Sequence, residues 1–263
     1  MKRILIIGKK SFLGSNLKIF LSKFYQVDKL SFEEVFKKKI IFFENYSHII
    51  NTSIHKNYVN NKYSLKFDLD RIFLSKFKKI HFYYIFLNSR KIYFPKNNIK
   101  ENSKISPIDN YGKNKFLTEK FLKKKLKHIL ISLRISNIIG KRIYANLRNN
   151  HKLFFDNFLK YKKNNKQISV NDDFKDFITI EQFSNIINKI IKLKVRGVYN
   201  VSLGEKIYIS ELVKWLDQNF CKRIRFTEPT KYSFTLSNKK LFKKIKMNIT
   251  KNQVKLFCKN LIK

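Results

Sequence analysis

Short unbroken apolar runs alternate along the chain with stretches in which apolar residues recur every three or four positions. "RILIIG" (residues 3–8) is such a run closed by glycine, which reads as a buried strand of a parallel sheet, and "FLGSNLKIFLSKF" (12–24) has helical spacing. The alternation continues with a strand in "YQVDKL", a short helix in "SFEEVFKK", a strand in "SHIINTS", a helix in "LKFDLDRIFLSKF" and a buried strand in "KIHFYYIFLNS". A helix then begins near Tyr111, and "HILISLRISNIIG" (128–140) is a further strand. Strands alternating with helices predict βαβ units and a doubly wound α/β sheet.

Beyond Gly140 the rhythm changes. "HKLFFDNFLKYKKN" (151–164) and "YISELVKWLDQNF" (208–220) have the spacing of amphipathic helices, separated by "ISVNDDFKDFITI" and the small strand "GVYNVS" (197–202). No repeat and no long linker interrupts the chain. The expected organisation is a larger α/β domain over 1–140, completed by part of 176–202, with 141–263 mainly a smaller, interleaved subdomain.

Charge changes this picture less than its size suggests. The 263 residues carry 58 Lys plus Arg against 18 Asp plus Glu, a formal net charge of +40, which ordinarily points to a polyanion or an anionic surface. Here the excess is mostly lysine and accompanies abundant Asn, Ile, Phe and Tyr, whose codons are rich in A and T. Runs such as "FKKK", "FLKKKLK", "YKKNNK" and "NKKLFKKIK" are scattered over the chain, whereas a nucleic-acid binder concentrates its charge on one face. The excess reads as coding-sequence bias, with no specific nucleic acid as partner.

Two cysteines, Cys221 and Cys258, make neither a disulfide framework nor a metal knuckle and fit a reducing compartment. The apolar run at the N-terminus stops at Gly8, too soon for a signal peptide, and no stretch is long enough for a membrane span. A cytoplasmic protein is expected.

Three places carry candidate chemistry. Gly8-Lys9-Lys10-Ser11-Phe12-Leu13-Gly14 lies between a strand and a helix, where small residues let the backbone approach a pyrophosphate and helix N–H groups face its charge. In "DNYGKNKFLTEKFL", Tyr111 and Lys115 stand four apart and share a helix face; a neighbouring ammonium favours the phenolate and brings Tyr111 toward useful acid–base range. Ser89 ends the preceding strand, where ligands bind in open parallel sheets, and its hydroxyl can hydrogen-bond a substrate oxygen.

With these in place, the sequence resembles the extended short-chain dehydrogenase/reductase family, in particular its NAD-dependent epimerase/dehydratase and dTDP-4-dehydrorhamnose reductase-like members. The likeness runs over nearly the whole chain: the glycine turn, "HIINTS" with Asn51 ending a strand, and "SRKIY" with Ser89 four before a tyrosine. It continues in "SPIDNYGKNKFLTE", similar to P-x-x-x-YG-x-x-K-x-x-x-E, in "LRISNIIG", similar to LR-x-x-N-x-x-G, and in "FKDFITIEQF" and "GVYNVSLGEKIYISELVKWL". The resemblance implies a Rossmann-type fold in which 1–140 binds NAD(P) and 141–263 is mainly a substrate-binding subdomain, with a nicotinamide cofactor held by Gly8, Ser11, Phe12, Leu13, Gly14, Ser31, Asn51, Tyr111 and Lys115. It implies that Tyr111 exchanges a proton with a sugar hydroxyl or ketone, that Lys115 lowers the phenol pKa and holds the nicotinamide ribose, and that Ser89 orients the reacting oxygen. Asn137 and Lys175 match positions that contact a nucleotide-sugar, Lys175 near its diphosphate.

The departures also carry expectations. Ser11 replaces the middle glycine of the turn and adds a side chain where phosphate should approach. Ser31, not an acidic residue, stands where NAD-specific members hold the ribose, which favours NADP slightly over NAD. Lys175 replaces an arginine, keeping charge but losing bidentate geometry. The short span from Gly14 to Asn51 suggests that one strand of the sheet is reduced or missing. The expected activity is oxidoreduction of a nucleotide-activated sugar, most specifically 4-keto reduction or 4-epimerisation. A dehydratase is disfavoured because the sequence reading finds no further carboxylate near Tyr111 or Ser89. The rival reading is a non-catalytic dinucleotide- or partner-binding protein on the same fold, and a homodimer is a fair default.

Overall fold

The apolar runs become the strands of one parallel sheet. The computed structural model describes residues 2–144, 153–163 and 168–262. In chain order the first half comprises β1 (Arg3–Ile7), α1 (Phe12–Leu21), β2 (Gln26–Leu30), α2 (Phe32–Phe36), β3 (His48–Asn51), α3 (Lys56–Asn60), α4 (Leu69–Ser75), β4 (Tyr83–Ser89), α5 (Asn110–Leu126) and β5 (Leu130–Ile135). After Ser136 the chain continues as β6 (Asn137–Ile139), α6 (Phe154–Lys163), β7 (Ile168–Asn171), β8 (Phe174–Lys175), β9 (Phe177–Thr179), α7 (Ile180–Lys192) and β10 (Gly197–Val201). It ends with β11 (Ile207–Tyr208), α8 (Ile209–Leu216), α9 (Gln218–Cys221), β12 (Ile224–Thr227), α10 (Lys239–Ile245) and α11 (Lys251–Leu261). The helix expected over 151–164 is seen as α6; residues 151–152 and 164 lie outside the described residues.

The main sheet has the order β10-β5-β4-β3-β1-β2, and every neighbouring pair is parallel. The fold is therefore a doubly wound, Rossmann-type α/β structure. Strand order reverses between β1 and β3, and the crevice outside the carboxyl ends of strands at such a switch is where this architecture binds ligands. Among the described residues β2 is the edge strand: residues 31–47 form α2 and a 3₁₀ turn (Ile40–Phe43) where a further strand would have lain. The small strand "GVYNVS" is β10, which pairs with β5 along Gly197↔Ile131 to Val201↔Ile135 and forms the opposite edge.

Both faces of the sheet are covered, as its continuous apolar strands require. On one face Ile4, Ile6, Ile50, Ile85, Ile131 and Leu133 pack against α1 and α7, through residues such as Leu17, Phe183 and Ile187. On the other, Leu5, Ile7, Ile49, Tyr84 and Phe86 pack against Phe73, Leu74, Leu122 and Leu126 of α4 and α5. Alternate strand residues thus feed opposite cores.

The later part of the chain is stitched to the sheet by short pairings. β6 pairs with β9, and β8 runs antiparallel to β11 with Lys175 opposite Ile207. Asp176, fully buried, binds the strands and loops together: its carboxylate accepts N–H bonds from Leu203 (2.8 Å), Gly204 (3.1 Å) and Leu236 (3.0 Å). A small satellite core of Ile92, Tyr93, Ile99, Phe234 and Leu236 fastens the segment after β4 to the last quarter of the chain.

Candidate active site

The turn after β1 is built for close approach. Gly8 takes φ +127°, a conformation that favours glycine, and a Cβ on Gly14 would stand 2.8 Å from the Gly8 carbonyl oxygen and 2.6 Å from Thr52 Oγ1. Ser11 lines the cleft, and its side chain is held by the turn itself. Its backbone is extended (φ −74°, ψ 148°), and its hydroxyl caps α1 by accepting the Gly14 N–H at 2.8 Å while bonding Thr52 Oγ1 at 2.6 Å. Thr52 in turn donates to the Ile7 carbonyl at 2.8 Å. Helix geometry leaves the Phe12 and Leu13 N–H groups without an intrahelical acceptor, and both residues line the cleft in front of the turn. These features fit the pyrophosphate of a dinucleotide.

The second wall is assembled at the carboxyl end of β4. Ser89 ends that strand, and its hydroxyl accepts the Lys91 N–H at 3.2 Å. Its position is fixed from beneath: Asn88 Oδ1 accepts the Ser89 N–H at 2.7 Å, and Asn88 Nδ2 donates to Glu119 at 2.6 Å. Glu119 is itself clamped by Arg134 through Nε (3.0 Å) and Nη2 (2.6 Å) and accepts the Ser132 hydroxyl (2.8 Å); burial pushes its carboxyl up, but Arg134 and then Lys123, paired at 2.9 Å, hold it down at about 2. The Glu and Arg of the quoted motifs therefore brace the Ser89 turn from α5 and β5.

α5 begins against that turn. Asp109 caps it, accepting the Gly112 N–H at 2.7 Å and pairing with Lys91 at 2.6 Å. Gly112 admits no side chain, because a Cβ there would lie 2.1 Å from the Lys91 carbonyl oxygen. One residue earlier, Tyr111 presents its partly buried ring to the cleft, and it hydrogen-bonds Ser89. Lys115 lies one turn on, its ammonium donating to the Leu87 carbonyl at 2.8 Å and standing 6.0 Å from the Tyr111 ring centre.

The electrostatics differ from the sequence expectation. Burial pushes the Tyr111 phenol above its ordinary range, Asp109 and Asp70 push it further, and the Ser89 hydrogen bond opposes them. The ammonium of Lys115 is turned to Leu87, and its own titration is drawn down by burial. Two carboxylates near Tyr111 were also missed: Asp109, committed to the helix cap and Lys91, and Asp70, reached only through the fold.

One cleft of about 560 Å³ gathers most of the residues singled out in the sequence: Ser11, Phe12, Leu13, Asn51, Ser89, Tyr111, Lys115 and Asn137 line it together. Asn51 is also structural, its amide donating to Asp70 at 3.0 Å and its oxygen accepting the Ser53 N–H at 2.9 Å. Gly8 and Gly14 shape the wall from behind. Two residues stand off the lining. Ser31 follows β2 directly and caps α2 in a reciprocal pair with Glu34. Lys175 pairs with Asp173 at 3.5 Å, and burial together with the nearby charges of Arg90 and Lys91 draws its pKa down.

Sequence reasoning overlooked Arg90, Arg142 and Thr52, which also line the cleft. Arg90 lies 3.9 Å over the Phe234 ring, and burial lowers its pKa to about 10. Arg142 pairs with Asp156 at 2.8 Å. Their signal was adjacency to quoted motifs, Arg90 to Ser89 and Arg142 to Gly140. Among the described residues no group of His, Cys, Asp or Glu could hold a metal ion, and no helix is long and apolar enough to cross a membrane.

No protein-family model and no curated protein matches the chain. Solved structures do. UDP-N-acetylglucosamine 4-epimerase from Methanobrevibacter ruminantium, in complex with UDP-N-acetylmuramic acid, superposes with a TM-score of 0.79 at 16% identity, covering 99% of this chain and 97% of its own. dTDP-glucose 4,6-dehydratase from Bacillus anthracis, in complex with NAD, gives 0.80 at 13% identity with 100% and 96% covered. RMD from Pseudomonas aeruginosa, complexed with NADPH, gives 0.76 at 16% with 100% and 98% covered. At such identities the likeness is one of fold: over the described residues the chain has the Rossmann-type fold of these proteins.

Proposed function

We propose that the protein is an NAD(P)-dependent oxidoreductase of the short-chain dehydrogenase type acting on a nucleotide-activated sugar, by 4-keto reduction or 4-epimerisation. The observation that carries this reading is convergence: Ser89, Tyr111 and Lys115 share one cleft with the phosphate-type turn at the strand-order switch. The dinucleotide supplies hydride transfer when bound. Tyr111 holds the proton exchanged with the sugar oxygen, and Ser89, braced by Asn88, orients that oxygen. Lys115 holds the ribose next to the phenol, and Phe12 and Phe154 give the cleft apolar lining.

Arg90, Lys91 and Lys175 supply positive charge on the side where a diphosphate would lie, and Asn137 offers an amide on the same lining. A slight preference for NADP is supported by the residues after β2. Ser31 stands there in place of a carboxylate, and the nearby Glu34 is already engaged by Lys9 at 3.0 Å and by the Ser31 N–H at 2.7 Å. With a serine at that position, Lys29 two residues before it and Lys9 beside Glu34, a 2′-phosphate is tolerable.

Turnover of UDP- and dTDP-activated hexoses and 4-keto-hexoses with NADH or NADPH tests the reading. Tyr111→Phe should lose about 10²-fold or more in rate while keeping its dinucleotide affinity. Unchanged turnover in that variant would remove Tyr111 from the chemistry and leave a non-catalytic binding protein as the better description.

A further inference from the structure

Lys115 poses a problem that its hydrogen bond does not solve. The residue is 6% exposed, and apart from the Leu87 carbonyl its ammonium faces rings: Phe86 with its centre at 4.6 Å, Tyr58 at 5.7 Å and Tyr111 at 6.0 Å. Rings and one carbonyl soften the loss of water around a cation but do not balance its charge. Burial lowers a lysine pKa, and a carboxylate close by offsets that loss and favours the protonated ammonium.

That carboxylate comes from α4. Asp70, also 6% exposed, accepts the Tyr84 hydroxyl at 2.7 Å and the Asn51 amide at 3.0 Å. Tyr84 and Phe86 are two apart on β4 and point to the same face of the sheet. Asn51, which donates to Asp70, is moreover the register partner of Phe86, so the carboxylate and the ammonium lie on the same face of the sheet, against neighbouring residues of β3 and β4. A second acid, Asp68, lies at the start of α4, but it is occupied by the Tyr63 hydroxyl (2.8 Å), the Thr118 hydroxyl (2.6 Å) and the Arg71 N–H (3.1 Å).

The groups facing the pair are thus Tyr84 of β4, Asn51 of β3, Tyr58 of α3, Asp68 at the cap of α4 and Tyr111 of α5, with Asp109, Ser89 and Lys91 around the Tyr111 phenol. Their influences run in consistent directions. Burial draws Lys115 down, and Asp70, ahead of Asp68, holds it up. Burial pushes Asp70 up, and Lys115 is the strongest influence pulling it back.

We propose that Asp70 is a positioning residue of the candidate active site: its buried carboxylate is the counter-charge that keeps the Lys115 ammonium protonated beneath Tyr111, so the acid–base range of the Tyr111–Lys115 pair is set from α4. The inference rests on the reading of Tyr111 and Lys115 given above. The charge coupling itself requires neither cofactor nor sugar, so it can fail or hold independently of turnover.

The test is a heteronuclear NMR titration of the full chain carrying ε-¹³C lysine, with the Lys115 signal assigned by its loss in Lys115→Met. In Asp70→Asn the Lys115 midpoint should fall by about one pH unit or more. The exchanged pair Asn51→Asp with Asp70→Asn, which returns a carboxylate to the same hydrogen bond, should recover part of that fall. A Lys115 midpoint that is unchanged in folded Asp70→Asn overturns the proposal. Should the variant not fold, the wild-type chain answers: the Lys115 signal must move with the titration of the Asp70 carboxyl carbon, and a signal flat through that titration overturns the proposal equally.

Discussion

Single residues at this site are held by groups that a linear reading does not connect. Ser11 is the clearest case. The sequence shows a side chain where a phosphate should approach, but not what holds it: the hydroxyl caps α1 and meets Thr52, 41 residues on. The partner could not be found from the turn alone, because β1 and β3 become neighbours only in the sheet. Ser11→Ala should cost about 1 kcal/mol in chemical denaturation. Gly112 was legible as part of a motif but not as a packing requirement. A methyl group there meets the Lys91 carbonyl, so Gly112→Ala should destabilise by about 1–3 kcal/mol. It should also weaken turnover beyond that loss, since the displaced turn carries Ser89. Equal stability to wild type in a thermal melt would contradict the packing seen here.

At the scale of elements, most strands and helices were legible because their apolar periods differ so plainly. β1, β3, β4 and β5 are short unbroken apolar runs, and α1 and α5 follow at helical spacing. The reading assigned no helix to α7, whose apolar residues at 183, 186, 187, 190 and 191 are well spaced. The run "FITI" hid its start: β9 passes directly into the helix, with Thr179 both ending the strand and capping α7. Single apolar run "HILISLRISNIIG" likewise concealed a division at Ser136 between β5 in the main sheet and β6 in the pairing with β9.

The Glu119–Arg134 pair joins α5 to β5 and, through Asn88, to β4, and it gives the elements a pH dependence. Glu119 is held down at about 2, well below its ordinary carboxylate value of 4.5. A group depressed in the folded state stabilises fully above its unfolded value, so this contribution is complete above about pH 5 and is lost as pH falls toward 2. Glu119→Gln leaves Arg134 buried without its counter-charge and should cost about 3–5 kcal/mol at neutral pH. The difference from wild type should shrink on acidification, as followed by thermal melts between pH 7 and pH 3. A gap that stays constant over that range would contradict the assignment.

For the molecule as a whole, charge is the feature most easily misread. With a formal net charge of +40, the protein should capture polyanions weakly and lose them steeply as salt rises, without preference for sequence. The doubly wound order, by contrast, brings the Gly8–Gly14 turn, the end of β4 and the start of α5 to one crevice, and the claim that this crevice binds a dinucleotide is central. Calorimetric titration of the purified chain with NADPH and NADH in moderate salt, with ATP as the control for general anion capture, tests it most directly. Saturable binding of one dinucleotide, NADPH the tighter and well above ATP, is the expected result. Binding of both dinucleotides no stronger than ATP would contradict the account, because the turn would then serve only to pack β1 against α1.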